Sequence, residues 1–282
     1  MVPKLDKIAS VAVLLTCHNR KEKTLEALNA LYQQNGFNDT FRVSVFLVDD
    51  GSTDGTSEEV SRLFPDVNII EGNGELFWNR GMHLAWQKAG DQYDFDYYLW
   101  LNDDTIMLSH ALEEMLSCIN ALPGDNIVVG AVRSDVTGHF TYGGFKSDNT
   151  PVLPNGKLQY CKIVNGNCVL VSRAIFKSVG NLDPVFPHAI GDHDYGLRVI
   201  KSGGKVLTSK TYIGHCERND KLPSWCYSDI NLKKRIAALY SPLGNAHPKY
   251  FFIYEKRHFG LTVAVKHFLS IHLRMLLPNL WN

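Results

Sequence analysis

Long apolar runs, paired cysteines and an excess of either charge are all missing from this chain, and each absence removes a class of protein. No stretch is long and apolar enough to cross a bilayer as a helix, which takes about 20 residues. The six cysteines, Cys17, Cys118, Cys161, Cys168, Cys216 and Cys226, are scattered without a CxxC pair. That argues against a zinc knuckle and, in a chain of 282 residues, against a disulfide framework. They read as reduced thiols, mostly core packing, in a cytoplasmic protein. Lys and Arg together number 29 and so do Asp and Glu, which argues against nucleic-acid binding through charge alone. The opening MVPKLDKIASVAVLLT has lysines before a short apolar run, but no small-residue cleavage site, and it leads into HNRKEK. A buried first strand fits this better than a secretory leader. No GxGxxG turn follows that run, whereas a dinucleotide-binding domain needs one so that backbone amides can approach a pyrophosphate.

What is present is an ordinary globular composition, 45% hydrophobic and 21% charged, enough for one large domain or a domain with an appendage. The first half alternates. Apolar runs at 8–16, 41–48, 67–70, 97–101 and 127–132 predict strands, and helical spacing predicts helices over 22–34, 56–64, 78–89 and 109–122. This alternation implies a parallel sheet with helices on both faces. Residues 133–165 are rich in Gly, Thr, Asn and Pro, with short strand-like pieces; helices are expected over 172–179 and 192–201 and a strand over 205–213. From Phe251 to Asn282 apolar residues such as Phe259, Leu261, Leu269 and Leu273 mix with Lys256, Arg257, Lys266 and Arg274. A basic helix of that kind either packs on its own domain or makes peripheral contact with an anionic membrane.

The chemistry gathers at strand ends, where open α/β sheets bind ligands. The first strand runs into Thr16-Cys17-His18-Asn19-Arg20, polar side chains suited to a base or ribose edge. The second ends in LVDDGSTDGT, residues 47–56. Ser52, Thr53 and Asp54 there are helix-capping types, and two further acids exceed what capping requires, so Asp50 is expected to accept hydrogen bonds from a ligand. LWLNDDT, residues 99–105, puts Asp103 and Asp104 after a buried strand, as befits Mg2+ held by one or two carboxylates and substrate phosphates; a polar turn capping the next helix is the alternative. GDHDYGLR, residues 191–198, sets Asp192 and Asp194 at a helix start. Either can serve as general base toward a hydroxyl, while Asp194 can also pair with Arg198 and Asp192 can simply cap the helix. His215 in GHC is a lone histidine, more often structural than a ligand.

These pieces, in this order, resemble the family 2 glycosyltransferases with the GT-A fold. The segments are LLTCHNR, LVDDGSTDGT, LWLNDDT, NGNCVLVSRAIFKSVGNLDPVF and GDHDYGLRVIKSGGKV, with GHC after them. EGNGELFWNRGMHLAW and Tyr142-Gly143-Gly144 are similar to the rhamnosyltransferase-like branch that builds bacterial surface polysaccharides, O-antigen among them. The resemblance implies a Rossmann-like, mostly parallel α/β domain over 1–220, with a nucleotide-sugar half (1–132) and an acceptor half (133–220), and a helical extension over 221–282. It implies that Thr16, His18, Asn19, Asp50 and Asp103 hold the donor nucleotide, that Asn73, Trp78, Asn79 and Arg80 line its sugar or diphosphate, that Asp104 and His215 bind Mg2+ or Mn2+, and that Asp192, with Asp194 as rival, is the catalytic base. The reaction implied is inverting transfer from dTDP-rhamnose or a UDP-hexose to a glycan or polyprenyl-linked acceptor, in the cytoplasm or at the inner face of the plasma membrane. Two departures stand out: the first acid of the DxD-type element is Asn102, and the glutamate of the "ED" element is Gly191. A sugar nucleotidyltransferase is the alternative enzyme, but CHNRKEK lacks the glycine-rich loop of that group; a catalytically silent sugar-binding homologue is the non-enzymatic one.

Overall fold

The computed structural model describes residues 8–218, 222–244 and 246–281. The first seven residues, with the lysines weighed against a leader, lie outside them, as does Asn282. The chain alternates as the apolar runs predict: β1 (Ala9–Cys17), α1 (Lys21–Tyr32), β2 (Phe41–Asp49), α2 (Thr56–Leu63), β3 (Asn68–Glu71), α3 (Phe77–Gln92), β4 (Tyr97–Leu101), a two-residue β5 (Ile106–Met107), α4 (Ala111–Asn120) and β6 (Asn126–Arg133). Four short strands follow, β7 (Phe140–Tyr142), β8 (Gly144–Phe145), β9 (Gln159–Tyr160) and β10 (Ile163–Val164). Then come β11 (Cys168–Ser172), α5 (Arg173–Val179), α6 (Gly191–Lys201) and β12 (Lys205–His215).

The main sheet has the order β3-β2-β1-β4-β11-β6-β12-β5. β1 pairs in parallel with β2 and β4, β2 with β3, and β6 with β12. The interruption is β11, which runs antiparallel to both β4 and β6 in the middle of the sheet. Its run CVLVS passes straight into α5, so the sequence shows a single apolar segment there and hides the strand. The turn between them is set by Ser172, whose hydroxyl accepts the amide of Ile175 at 3.3 Å.

Side chains alternate across the sheet. Val11, Val13 and Leu15 face a layer holding Leu28 and Leu31 of α1, Val60 of α2 and Met115 of α4. Ala12 and Leu14 face the layer of α3, α5 and α6, through Met82, Trp86, Ile175 and Tyr195. Trp86 is the hub of that second layer, with ring centroids 5.0–5.5 Å from Tyr98, Trp100, Phe176 and Tyr195. Contacts of this kind add about 0.5–1.5 kcal/mol each beyond the area they bury.

The tail departs from the expected single helix. A short 3-10 turn (Ser224–Cys226) and α7 (Leu232–Leu239) precede a hairpin of α8 (Pro248–Phe259) and α9 (Leu261–Leu276). The break is Gly260, at φ +96°, a conformation that other residues adopt only under strain. Tyr254 of α8 packs with Phe186 and Ile190 of the sheet domain, while Leu239 and Met275 join Trp225 and Cys226 in a small core of their own. No helix among the described residues is long and apolar enough to cross a membrane.

Candidate active site

The carboxyl ends of β1, β2 and β4 lie side by side, and a cavity of about 1030 Å³ opens over them. Its wall brings together Thr16, His18, Asp50, Trp78, Asp103, Asp104 and Asp192 from segments far apart in the chain. Six other candidate residues do not contribute to that wall: Asn19, Asn73, Asn79, Arg80, Asp194 and His215.

Asp49 and Asp50 both turn to the backbone. Asp49 accepts the Ser52 amide at 2.8 Å and the Ser57 hydroxyl, closing the turn into α2. Asp50, 4% exposed, accepts the amides of Gly74, Leu76 and Phe77 at 2.8–2.9 Å. It thus fixes the loop that carries Trp78 into the cavity. The Nδ1–H of His18 donates to the Asp50 carbonyl at 2.7 Å, which leaves its Nε2 as an acceptor, 3.2 Å from the Asn19 amide nitrogen. Asn19, in the left-handed region at φ +53°, accepts the Thr53 amide at 2.7 Å and ties the β1 loop to the β2 loop.

Trp78 bridges the site. Its indole N–H donates to Asn102 Oδ1 at 2.7 Å, so the amide standing where an acid was expected positions this ring. Gly166 lies against the benzo edge of the indole, where an added Cβ would come within 2.5 Å of the ring. Asn79 and Arg80, the next residues of α3, turn to the 183–186 loop instead. Asn79 is fully buried and donates to the carbonyls of Asp183 and Phe186, and Arg80 donates to that of Pro184.

At the tip of β4, Arg20 reaches Asp103 Oδ1 at 3.2 Å and Asp104 Oδ2 at 2.6 Å. Burial, more than its neighbours, pushes the Asp103 carboxyl up to about 7; Arg20 opposes the shift and Asp104 adds to it. The second oxygen of Asp103 is buried without a hydrogen-bond partner. Two carboxylates converging on one cation, with an unsatisfied oxygen, have the donor chemistry of a site for a hard divalent ion. Among the described residues no group of three His, Cys, Asp or Glu side chains forms a ready cage, so phosphate oxygens and water would have to complete the shell. His215 is set apart, with Nδ1 3.4 Å from Asp135 Oδ1.

The two acids of α6 have different surroundings. Asp192 faces the cavity, its carboxylate oriented by the amides of Gly166 at 2.9 Å and His193 at 2.8 Å. Asp194 is fully buried. Its Oδ2 accepts from Arg198 at 2.8 Å, and its Oδ1 from Arg257 and His258 of α8, each at 2.8 Å. Burial would raise this carboxyl, but the hydrogen bonds from His258 and Arg198, with the neighbouring positive charge, hold it below the usual carboxylate range. Both oxygens are engaged, so Asp194 joins α6 to α8 as a clamp and, unlike Asp192, does not face the cavity.

Through that clamp α8 supplies Phe251 and Tyr254 to the cavity wall. Neither was legible as a site residue, nor were Arg20 and His188. His188 accepts the Trp78 amide at 3.4 Å, and burial pushes its imidazole down while Asp192 opposes the shift. The available signals were slight: a cation directly behind the first strand tip, and a histidine in the loop before GDHD.

The model of the family described as "Glycosyl transferase family 2" matches residues 12–180. A curated relative, the N-acetylglucosaminyl-diphospho-decaprenol L-rhamnosyltransferase of Mycobacterium tuberculosis (strain ATCC 25618 / H37Rv), is 26% identical over 190 residues, 57% of this chain and 62% of that protein. The chain therefore spans under two thirds of that relative's length. Among solved structures, the Pyrobaculum calidifontis mannosyltransferase PcManGT in complex with GDP-Man and Mn2+ superposes with a TM-score of 0.58 at 17% identity, covering 98% of this chain and 72% of that one. GalNAc-T7 with UDP, GalNAc and Mn2+ gives 0.64 at 14% identity, covering 88% and 48%. At those identities the likeness is one of fold, and it agrees with the mostly parallel α/β sheet described above.

Proposed function

The chain belongs to glycosyl transferase family 2, and from that membership we propose that it is an inverting transferase moving a sugar from a nucleotide-sugar donor to an acceptor hydroxyl. The observation that carries this reading is the shared cavity: Asp103 and Asp104 from the turn after β4 and Asp192 from α6 line one wall with Thr16, His18 and Trp78. The donor nucleotide lies over the carboxyl ends of β1 and β2, against Thr16 and His18. Trp78, fixed by Asn102, packs against the sugar or diphosphate.

Asp192 is the general base. The amides of Gly166 and His193 hold its carboxylate in one orientation toward the cavity. It takes the proton of the acceptor hydroxyl as that oxygen bonds to the anomeric carbon, and the bond from that carbon to the diphosphate oxygen breaks on the opposite face. A divalent ion, Mg2+ or Mn2+, fits beside Asp104, where it would neutralise charge on the departing nucleoside diphosphate. Arg20 supplies a fixed positive charge at the same place.

The named relative suggests rhamnose as the donated sugar and a glycan carried on a polyprenyl diphosphate as acceptor; a UDP-hexose is the other candidate donor. A lipid-linked acceptor puts the reaction at the inner face of the plasma membrane. The test is release of nucleoside diphosphate from a panel of nucleotide-sugars, with and without Mn2+. Asp192→Asn should reduce transfer by about a thousandfold or more, the upper range for losing a general base, with donor affinity unchanged. Near-normal turnover by that variant refutes the assignment of the base.

A further inference from the structure

Of the 20 large hydrophobic residues exposed among the described residues, 14 lie between Leu222 and Leu277. They are ordered. On α9, Leu261, Val265, Leu269, Leu273 and Leu276 repeat at helical spacing and are 42–62% exposed. The buried side of the same helix is a different one, marked by Ala264 and Met275. On α7, Leu232, Ile236 and Tyr240 form a second exposed row, 41–44% exposed. The two rows meet where the Tyr240 hydroxyl and His272 Nε2 lie 2.7 Å apart. Contiguous apolar surface on this scale is rare on a protein that faces only water.

Charge identifies what covers it. Residues 221–282 carry nine Lys and Arg against two acids, Asp229 and Glu255, and Glu255 is buried against His267. The preceding 220 residues carry 20 against 27. The exposed Lys233 and Lys266 lie on the same two helices as the apolar rows, and α9 contains no acid. A second copy of this chain, docked about a twofold axis, would set these cations against each other. A bilayer of anionic lipid instead takes the leucines into its acyl boundary and the lysines among its headgroups.

We propose that the outer faces of α7 and α9 dock this protein onto an anionic lipid bilayer. The docked face lies one helix from the cavity: α9 packs on α8 through Phe268 against Phe252, ring centroids 5.9 Å apart, and α8 carries Phe251 and Tyr254 into the wall. The surface rests on its own residues and does not depend on the donor or acceptor proposed above.

The test is flotation of the full chain with vesicles of phosphatidylcholine alone and of phosphatidylcholine and phosphatidylglycerol in equal parts, at low and high salt. The wild-type chain should float with the anionic vesicles at low salt and dissociate at high salt. Leu269→Glu/Leu273→Glu and, separately, Lys233→Glu/Lys266→Glu should each weaken partitioning by roughly tenfold or more, with unchanged circular dichroism and unchanged nucleoside diphosphate release in free solution. Should one pair fail to fold, the other decides. Absence of wild-type flotation on anionic vesicles overturns the proposal, as does a wild-type dimer that Leu269→Glu/Leu273→Glu converts to a monomer while vesicle binding is unaffected. Flotation by a chain that turns over no nucleotide-sugar would sink the transferase reading and leave the docking surface standing.

Discussion

Replacing Asp194 with asparagine takes one negative charge out of a fully buried position that faces Arg198, Arg257 and His258. The amide keeps one acceptor oxygen but turns an NH2 group toward donors. Breaking a buried ion pair by removing one partner costs about 3–5 kcal/mol, because the remaining charge stays buried and uncompensated. At about 2–3 °C per kcal/mol for a chain of this size, the melting temperature should drop by roughly 6–15 °C. The effect should also depend on pH. Asp194 is held below its ordinary range by its hydrogen bonds in spite of burial, and burial holds His258 below its own in spite of Asp194. Both groups therefore bind fewer protons folded than unfolded, so stability rises with pH. The His258 contribution is complete above about pH 6.5 and fades below it, and the Asp194 contribution is complete above about pH 4 and fades below that. Scanning calorimetry of both proteins from acid to neutral pH should show the gap between them narrowing below about pH 4, where Asp194 takes up its proton. A variant that melts with the wild type yet transfers no sugar would refute the clamp and return Asp194 to the chemistry.

Two further substitutions probe the cavity. Arg20→Ala removes the cation that shares Asp103 and Asp104, so Mn2+ should bind roughly fivefold tighter, about 1 kcal/mol of relieved competition; an unchanged Mn2+-induced thermal shift argues that ion and guanidinium do not compete. Gly166→Ala would bring a methyl within 2.5 Å of the Trp78 ring, an overpacking that costs about 1–3 kcal/mol. Displacing the indole from Asn102 should change the tryptophan emission and weaken donor binding, and a variant with wild-type emission and affinity would mean that Trp78 has room to move.

The alternating first half was legible because each buried parallel strand is a continuous apolar run bounded by polar tips, and β1, β2 and β4 begin and end within two residues of expectation. The acids at those tips were legible for the same reason. Their partners were not. Nothing local indicates that Asp50 bonds to amides some 25 residues later, or that Asn79 and Arg80 face carbonyls in the 183–186 loop while Trp78 faces the cavity; the docking of α3 decides that. Ser52, Thr53 and Asp54 were read as helix caps, yet the N-cap residue is Gly55 at φ +80°. The antiparallel β11 is a strand only because β4 and β6 flank it, and the wall contributed by α8 depends on a clamp whose halves are 63 residues apart.

The insertion of β11 also constrains how the chain can acquire its structure. β4 and β6 are both made by residue 133, and β4 already lies on β1, yet the facing edges of β4 and β6 stay open until Cys168–Ser172 arrives between them. Until then a growing polypeptide carries two bare backbone edges flanked by Trp100 and Val129, the kind of surface that pairs promiscuously with other chains. Cut out alone, the first 132 residues would keep those edges open, and a ribosome stalled near residue 150 would leave a product prone to chaperone capture or aggregation.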